Sequence, residues 1–189
     1  MGNVIKQTKS VLVFCSASTE VAPIYFSEMT LMAKALVHAG YRIVYGGGMT
    51  GLMGRLADAA LEEGGTVIGV IPKYLAKDGI LHPGLSELIV VDDLLDRKRE
   101  MLKLADASIA FAGGIGTIDE FTEALALKQL GENPKPMIFH NFLGFWDPLF
   151  EFFDELRLKK MIYQPPEELY SVCETNEAVM ACLEGCWKK

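Results

Sequence analysis

Short apolar segments rich in Val, Ile and Leu alternate along this chain with longer segments whose apolar residues recur at helical spacing. Strands that are apolar throughout are buried on both faces, which requires helices on either side of a parallel sheet. The alternation therefore predicts a doubly wound α/β fold. The predicted strands are Val11–Cys15, Arg42–Tyr45, Thr66–Ile71, Leu88–Val91, Ala107–Phe111, Pro136–Phe139 and a weaker Leu169–Val172.

Helical segments fill the intervals between these strands. Three of them are followed by a glycine, at Gly40, Gly64 and Gly131, and glycine readily takes the left-handed conformation that ends a helix. Because no linker or repeat interrupts the pattern, we predict a single Rossmann-like domain over residues 1–189, with a mostly parallel sheet and helices on both faces. The predicted helices are Ile24–Ala39, Gly51–Glu63, Leu94–Ala105, Thr117–Leu130, Trp146–Leu158 and Asn176–Trp187.

Charge and composition narrow the possible partners. A net charge of −7 argues against a nucleic-acid partner, because phosphate backbones require clustered Lys and Arg. The four cysteines and three histidines lack the spacing of a metal site or a disulfide framework, so we expect no metal and no cofactor. The N-terminal segment MGNVIKQTKS lacks the apolar core of a signal peptide, and no apolar run is long enough to span a membrane. We expect a cytoplasmic protein without a membrane partner.

Ligands of this fold class bind beyond the carboxyl ends of the strands, and the loop Gly46–Gly54 follows the second predicted strand. Its sequence GGGMTGLMG allows close approach of the backbone to a ligand, ahead of a helix with unpaired N–H groups. Gly46, Gly48 and Gly51 match the dinucleotide pattern G-x-G-x-x-G. However, the next strand ends in Ile71-Pro72-Lys73, without the acidic residue that binds a ribose. The alternative is that these glycines only permit tight packing between the strand and the helix and bind no ligand.

A second glycine-rich loop, Gly113–Thr117, also joins a predicted strand to a predicted helix. Thr117 is placed to cap this helix or to contact a phosphate oxygen. Two such loops in one small sheet favour a phosphate held between two helix N-termini, and hence a nucleotide or sugar phosphate as ligand.

Three charged residues lie close to these loops in the sequence. Glu120 stands three residues beyond Thr117, so it is either a capping-box glutamate or a carboxylate beside a bound ribose. Arg97 and Lys98 stand early on the preceding helix, where basic residues are either solvated or part of a phosphate site. Further along, Trp146, Leu149, Phe150 and Phe153 have core spacing, and Phe145 or Phe152 is left for a contact between subunits.

Several of these motifs together resemble the Lonely Guy family, the cytokinin riboside 5′-monophosphate phosphoribohydrolases once described as lysine decarboxylases. Gly46–Gly54 is similar to the family segment G-G-G-x-x-G-L-M-G, and Gly113–Glu120 to its G-G-x-G-T-x-x-E signature. Arg97-Lys98 with Met101 matches a third segment. The resemblance extends from about Val11 to Tyr163. The chain departs from the family pattern at Leu95, Ala112 and Leu127, where histidine, proline and tryptophan are expected.

The resemblance implies hydrolysis of the N-glycosidic bond of a purine nucleoside 5′-monophosphate, of cytokinin type or AMP, and it implies a homodimer. Arg97 and Glu120 would be the catalytic pair, with Glu120 stabilising the ribose cation or activating water and Arg97 orienting Glu120. The implied substrate- and phosphate-binding residues are Ser18, Gly47, Gly48, Gly51, Lys98, Gly113, Gly114, Ile115, Gly116 and Thr117.

Three other interpretations stay open at this point. A non-catalytic nucleotide-binding or carrier protein of the same fold would bind AMP without releasing adenine. A lysine decarboxylase would need a lysine that binds pyridoxal, and no lysine at a strand end marks a convincing pocket. A purely structural protein would bind no nucleotide.

Overall fold

The computed structural model describes residues 8–188. The N-terminal segment that gave no indication of a signal peptide lies largely outside the described residues. No helix within residues 8–188 is long and apolar enough to cross a bilayer.

One sheet of seven strands forms the centre of the described part of the chain, and all of its pairings are parallel. The strand order is β4-β3-β2-β1-β5-β6-β7, so the chain winds outward from β1 in both directions. The predicted doubly wound parallel architecture is confirmed. The strands are β1 (Ser10–Phe14), β2 (Arg42–Tyr45), β3 (Val67–Pro72), β4 (Glu87–Val91), β5 (Ala107–Ala110), β6 (Met137–His140) and β7 (Ser171–Cys173).

Helices connect the strands, except between β3 and β4, which are joined by a loop. The predicted glycine stops are confirmed, because Gly40, Gly64 and Gly131 have φ values of +81°, +73° and +79°. The helices are α1 (Pro23–His38), α2 (Gly51–Glu62), α3 (Leu94–Leu104), α4 (Ile115–Gln129), α5 (Asp147–Leu158), α6 (Pro166–Leu169) and α7 (Asn176–Cys186), with a short 3₁₀ turn at Phe142–Gly144.

Successive residues of β1 point to opposite faces of the sheet and enter two separate apolar cores. Val11 and Val13 pack in the core that contains residues of α1, α2 and α7. Leu12 and Phe14 pack in the core that contains residues of α3, α4 and α6. Because side chains alternate along a strand, a strand buried on both faces must be apolar at every position, as the sequence indicated.

Two predictions of helix position need correction. Helix α4 begins at Ile115 rather than Thr117, and Gly114 is its N-cap residue. The sequence could not place this start, because a glycine N-cap has no side chain to mark it. Trp146 lies just before α5 and not inside it, and its side chain is buried as predicted.

Candidate active site

The loop after β1 connects the two glycine-rich loops at the carboxyl edge of the sheet. The Ser16 carbonyl accepts hydrogen bonds from the N–H groups of Leu52 and Met53, at 2.9 and 3.2 Å. The Ser16 N–H donates to the Ala112 carbonyl at 3.1 Å. Two N–H groups in the first turn of α2 are therefore already engaged by a protein carbonyl, whereas the sequence suggested that this helix N-terminus would hold a phosphate.

The first glycine-rich loop is shaped by close contacts that exclude side chains. Gly51 has a φ of +60°, and a Cβ there would collide with the backbone of Ala17. A Cβ at Gly46 would overlap the guanidinium group of Arg97. Gly51 is therefore required for tight packing of the backbone, whereas Gly46 leaves the space that the Arg97 side chain occupies.

Arg97 and Glu120 come together from two different helices. Arg97 is on the first turn of α3, whose N-cap Asp93 accepts hydrogen bonds from the N–H groups of Leu95 and Asp96. The Arg97 Nη2 atom lies 3.2 Å from Glu120 Oε1, and the two side chains are only 12% and 14% exposed. Arg97 also touches Gly46 of the first glycine-rich loop, and Glu120 is on α4, the helix that follows the second loop, so the pair lies between the two loops.

Burial dominates the electrostatics of this pair. Burial raises the pKa of Glu120 above its ordinary value, and the positive charge of Arg97 acts in the opposite direction. The Arg97 Nε atom is also buried, and it has no hydrogen-bond partner among the described residues. A buried guanidinium N–H that lacks an acceptor is a donor available to a ligand.

Glu120 does not form the capping box that the sequence left open. Because α4 begins at Ile115, Glu120 lies in its second turn, where it pairs with Arg97 instead of reaching back to the helix start. Thr117 is buried against Gly113, and no side-chain cap is present at this N-terminus.

The N-terminus of α4 is open to a ligand. The first hydrogen bond of this helix runs from the Ile118 N–H to the Gly114 carbonyl. Within residues 8–188, no acceptor is recorded for the preceding N–H groups of Ile115, Gly116 and Thr117. Gly114, Ile115 and Gly116 are exposed. Unpaired N–H groups at the positive end of a helix form an anion-binding site.

Lys98 has partners on α4. Its ammonium group lies 3.1 Å from a carboxylate oxygen of Asp119 and also forms an ion pair with Glu123. Its charge is thereby balanced within the protein. Because the ammonium group is engaged by these two carboxylates and is not open to the cleft, the role of Lys98 in phosphate binding stays a prediction.

The remaining predicted ligand residues lie in two loops. Ser18 is exposed in the loop after β1, where its hydroxyl accepts a hydrogen bond from the Glu20 N–H at 3.2 Å. Gly47 has a φ of +76°, and its carbonyl accepts the His82 N–H at 3.0 Å. The Gly48 carbonyl accepts the Tyr45 hydroxyl at 3.1 Å. These contacts hold the first loop against its neighbours.

Sequence reasoning missed three residues around this site. The buried Tyr45 fixes Gly48, and Asp58 contacts His82 at 3.0 Å, which anchors the segment that pairs with the first loop. Cys15 is buried at the end of β1, and burial, together with the charge of Glu120, raises the pKa of its thiol. Of these three residues, only Tyr45 could have been identified from the sequence, because the hydroxyl group of a tyrosine on a buried strand needs a hydrogen-bond partner.

Comparisons with known proteins identify the family to which the chain is similar. A model of the family described as "Possible lysine decarboxylase" matches residues 53–183. The chain is 39% identical to the cytokinin riboside 5′-monophosphate phosphoribohydrolase of Rhodococcoides fascians, over 94% of this chain and 90% of that protein. It is also 39% identical to the cytokinin riboside 5′-monophosphate phosphoribohydrolase LOG2 of Arabidopsis thaliana, over 80% of this chain and 73% of that protein.

A solved structure shares the fold at lower sequence identity. The molybdenum cofactor carrier protein of Chlamydomonas reinhardtii superimposes with a TM-score of 0.74 and 21% identity, over 97% of this chain and all of that one. At this identity the likeness concerns the fold alone.

Proposed function

Because this chain belongs to the family described as "Possible lysine decarboxylase", whose curated relatives are named cytokinin riboside 5′-monophosphate phosphoribohydrolases, we propose that it is a phosphoribohydrolase. Its substrate is a purine nucleoside 5′-monophosphate, of cytokinin type or AMP. The bond between C1′ of the ribose and the base nitrogen breaks, water supplies a hydroxyl group to C1′ and a proton to the base, and the products are free base and ribose 5-phosphate. The observation that carries this proposal is the buried Arg97–Glu120 pair between the two glycine-rich loops.

Glu120 acts at the ribose. Cleavage of an N-glycosidic bond develops positive charge on the sugar, and a carboxylate stabilises that charge or takes a proton from the attacking water. Arg97 orients this carboxylate and helps to keep it ionised, since its charge opposes the effect of burial on the Glu120 pKa. The unpaired Arg97 Nε–H is available to a sugar hydroxyl.

The phosphate binds at the N-terminus of α4. The N–H groups of Ile115, Gly116 and Thr117 provide unpaired donors, and the helix dipole favours a negative charge there. Gly113 and Gly114 allow the backbone to approach the anion. Ser18, Gly47, Gly48 and Gly51 form the opposite wall of the cleft, and Lys98 joins α3 to α4 behind it through its ion pairs with Asp119 and Glu123.

Two other activities are less well supported. A lysine that carries pyridoxal requires a sheltered pocket, but Lys73, which follows β3, is 70% exposed and pairs with Asp92. A carrier of the same fold would bind AMP and leave it intact. The Arg97–Glu120 pair favours the enzyme, because a carrier has no need for a buried carboxylate beside the ribose.

The proposal also concerns the location and the oligomeric state of the enzyme. The enzyme is cytoplasmic and, as the resemblance implies, a homodimer, with Phe145 or Phe152 available for the subunit contact. Both side chains are exposed in the single chain, at 37% and 56%. Exposed aromatic residues of this kind are enriched in protein interfaces.

The test is incubation of the purified protein with AMP, GMP, CMP and isopentenyl-AMP, followed by chromatography for free base and ribose 5-phosphate. Release of a purine base in equimolar amount with ribose 5-phosphate is the expected result. Nucleotide binding without base release would instead identify a carrier, and release of a pyrimidine base alone would contradict the purine assignment.

A further inference from the structure

A groove between α1 and α7 carries an unbalanced negative charge. Its volume is about 680 Å³. Within the described part of the chain, four carboxylates line it and no Lys or Arg does, the carboxylates being Glu28, Glu174, Glu177 and Glu184. The three on the α7 side are exposed, and none of these three takes part in a recorded ion pair. A groove of this charge attracts cations from solution.

A buried amide points to a ligand independently of the acidic residues. Asn176 lines the groove and is only 7% exposed. Its Nδ2 donates to the Glu28 carbonyl at 3.3 Å, which fixes the orientation of the amide. Its Oδ1 atom has no hydrogen-bond partner in residues 8–188. A buried acceptor without a donor is rare in folded proteins, and a ligand N–H would satisfy it.

The histidine behind the groove does not neutralise it. His140 is fully buried, and its Nε2 atom lies 3.6 Å from Glu28 Oε1. Burial lowers the pKa of His140 to about 4, so its ring is uncharged near neutral pH. Burial and the nearby Glu177 raise the pKa of Glu28, and within residues 8–188 it therefore has no positively charged partner near neutral pH.

The floor of the groove is apolar. Leu31 and Ala35 of α1 and Met180 of α7 line it together with the half-buried ring of Phe142. Methylene groups can pack on such a floor, and the face of an aromatic ring attracts an ammonium group. A hydrated inorganic cation would leave this apolar surface unused.

The spacing of the carboxylates sets the length of the ligand. Glu177 and Glu184 are seven residues apart on α7, so they share one face of the helix and lie about 10.5 Å apart along its axis. Glu28 and Asn176 lie near the Glu177 end. Ammonium groups at both ends of an aliphatic chain would match this arrangement, with the chain over Met180.

We propose that the groove between α1 and α7 binds an aliphatic polyamine, whose ammonium groups contact Glu28, Asn176, Glu177 and Glu184 and whose methylene groups lie on Leu31, Phe142 and Met180. The site is distinct from the nucleotide cleft and does not rest on the proposed hydrolase activity. Glu177 is well suited to it, because its own backbone N–H and the Thr175 hydroxyl hold its pKa below the ordinary value and keep it charged.

Calorimetric titration of the full chain at fixed ionic strength tests this site, with spermidine, putrescine and MgCl₂ as probes. We expect saturable one-to-one binding of spermidine, weaker binding of putrescine and no saturable binding of Mg²⁺. The double variant Glu177→Gln/Glu184→Gln should weaken spermidine binding by at least about tenfold. Leu31→Lys, which places an ammonium group in the groove at an exposed position, should weaken it to a similar degree.

The matched control is Glu132→Gln/Glu151→Gln, which removes the same charge from exposed positions outside the groove. It should bind spermidine as the unaltered chain does. Equal loss in this control would show that net charge alone attracts the amine, and the proposal would then be wrong. Absence of saturable spermidine binding, or binding of Mg²⁺ as tight as that of spermidine, would also overturn it.

Discussion

Arg97 Nη2 lies 3.2 Å from Glu120 Oε1, although the two residues belong to helices on either side of strand β5 in the chain. Both side chains are largely buried, so water solvates neither charge well and each charge is stabilised by the other. Arg97 lies beside Gly46 and Glu120 lies on α4, so the pair is the centre of the proposed chemistry.

Replacing Glu120 with Gln should abolish base release while leaving nucleotide binding largely intact. The amide keeps the shape of the side chain but can neither stabilise a ribose cation nor accept a proton, so a loss of roughly 10²–10⁴-fold in kcat is expected. Chromatography for free base and calorimetry with AMP measure the two properties separately. Glu132→Gln, on the exposed turn after α4, is the control, and unchanged turnover in Glu120→Gln would refute the assignment.

Replacing Arg97 with Gln should move the acidic limb of the kcat/KM profile to higher pH. In the unaltered enzyme burial already raises the Glu120 pKa above its ordinary value, so activity falls as the pH drops through this raised pKa. Removing the Arg97 charge removes the influence that lowers this pKa, so protonation of Glu120 begins at higher pH. A profile reduced in height but unmoved along the pH axis would show that Arg97 does not act through Glu120.

Replacing Gly46 with Ala should reduce activity more than stability. The new methyl group would overlap the Arg97 guanidinium, which can move away because it is the end of a flexible side chain. A displacement of about 1 Å can lower a rate by roughly 10²-fold. Gly185→Ala is the control: nothing lies within 4 Å of its Cβ position in α7, so stability should rise by about 0.5–1 kcal/mol with activity unchanged. Equal activity of both variants would argue against the contact.

Replacing His140 with Leu should flatten the dependence of stability on pH between about 4 and 6.5. Burial lowers the folded-state pKa of His140 to about 4, so in this range the unfolded chain binds more protons and the folded chain loses stability as the pH falls. The loss from this one group is at most about 3 kcal/mol. Urea denaturation at several pH values measures the slope. An identical slope in both proteins would mean that His140 titrates normally.

Replacing Phe152 with Glu should convert the proposed homodimer to a monomer. Phe152 is 56% exposed on α5, and a charge buried without a partner at an interface is strongly unfavourable. Sedimentation equilibrium of the unaltered and variant chains gives the masses. Leu130→Glu, at another exposed apolar position just after α4, serves as the control, and a dimer that survives Phe152→Glu would place the interface elsewhere.

The sequence was sufficient where local chemistry determines local structure. The glycine stops at Gly40, Gly64 and Gly131 follow from the positive φ that each helix end requires. The apolar run of β1 indicated burial on both faces. The proposed catalytic pair was named from motifs, but its geometry depends on how α3 and α4 pack on the sheet, which the spacing of residues in the sequence does not reveal.

The features that the sequence did not reveal depend on backbone groups or on contacts that form only on folding. The role of Ser16 was missed because its carbonyl is a backbone group, and every residue has one. The start of α4 was misplaced because Gly114 caps the helix without a side chain. The ion pairs of Lys98 with Asp119 and Glu123 were not foreseen, because they depend on neighbours brought together only by folding.

The Ser16 carbonyl accepts two N–H groups from the first turn of α2, so the two glycine-rich loops differ in the backbone donors that they leave for a ligand. The loop after β2 is a fixed template, in which side chains are excluded by the Ala17 backbone and by Arg97. The loop after β5 keeps its donors free, and at Gly114 and Gly116 it has open space for larger side chains. An attempt to redirect this scaffold to a different anion should therefore diversify the second loop and leave the first untouched.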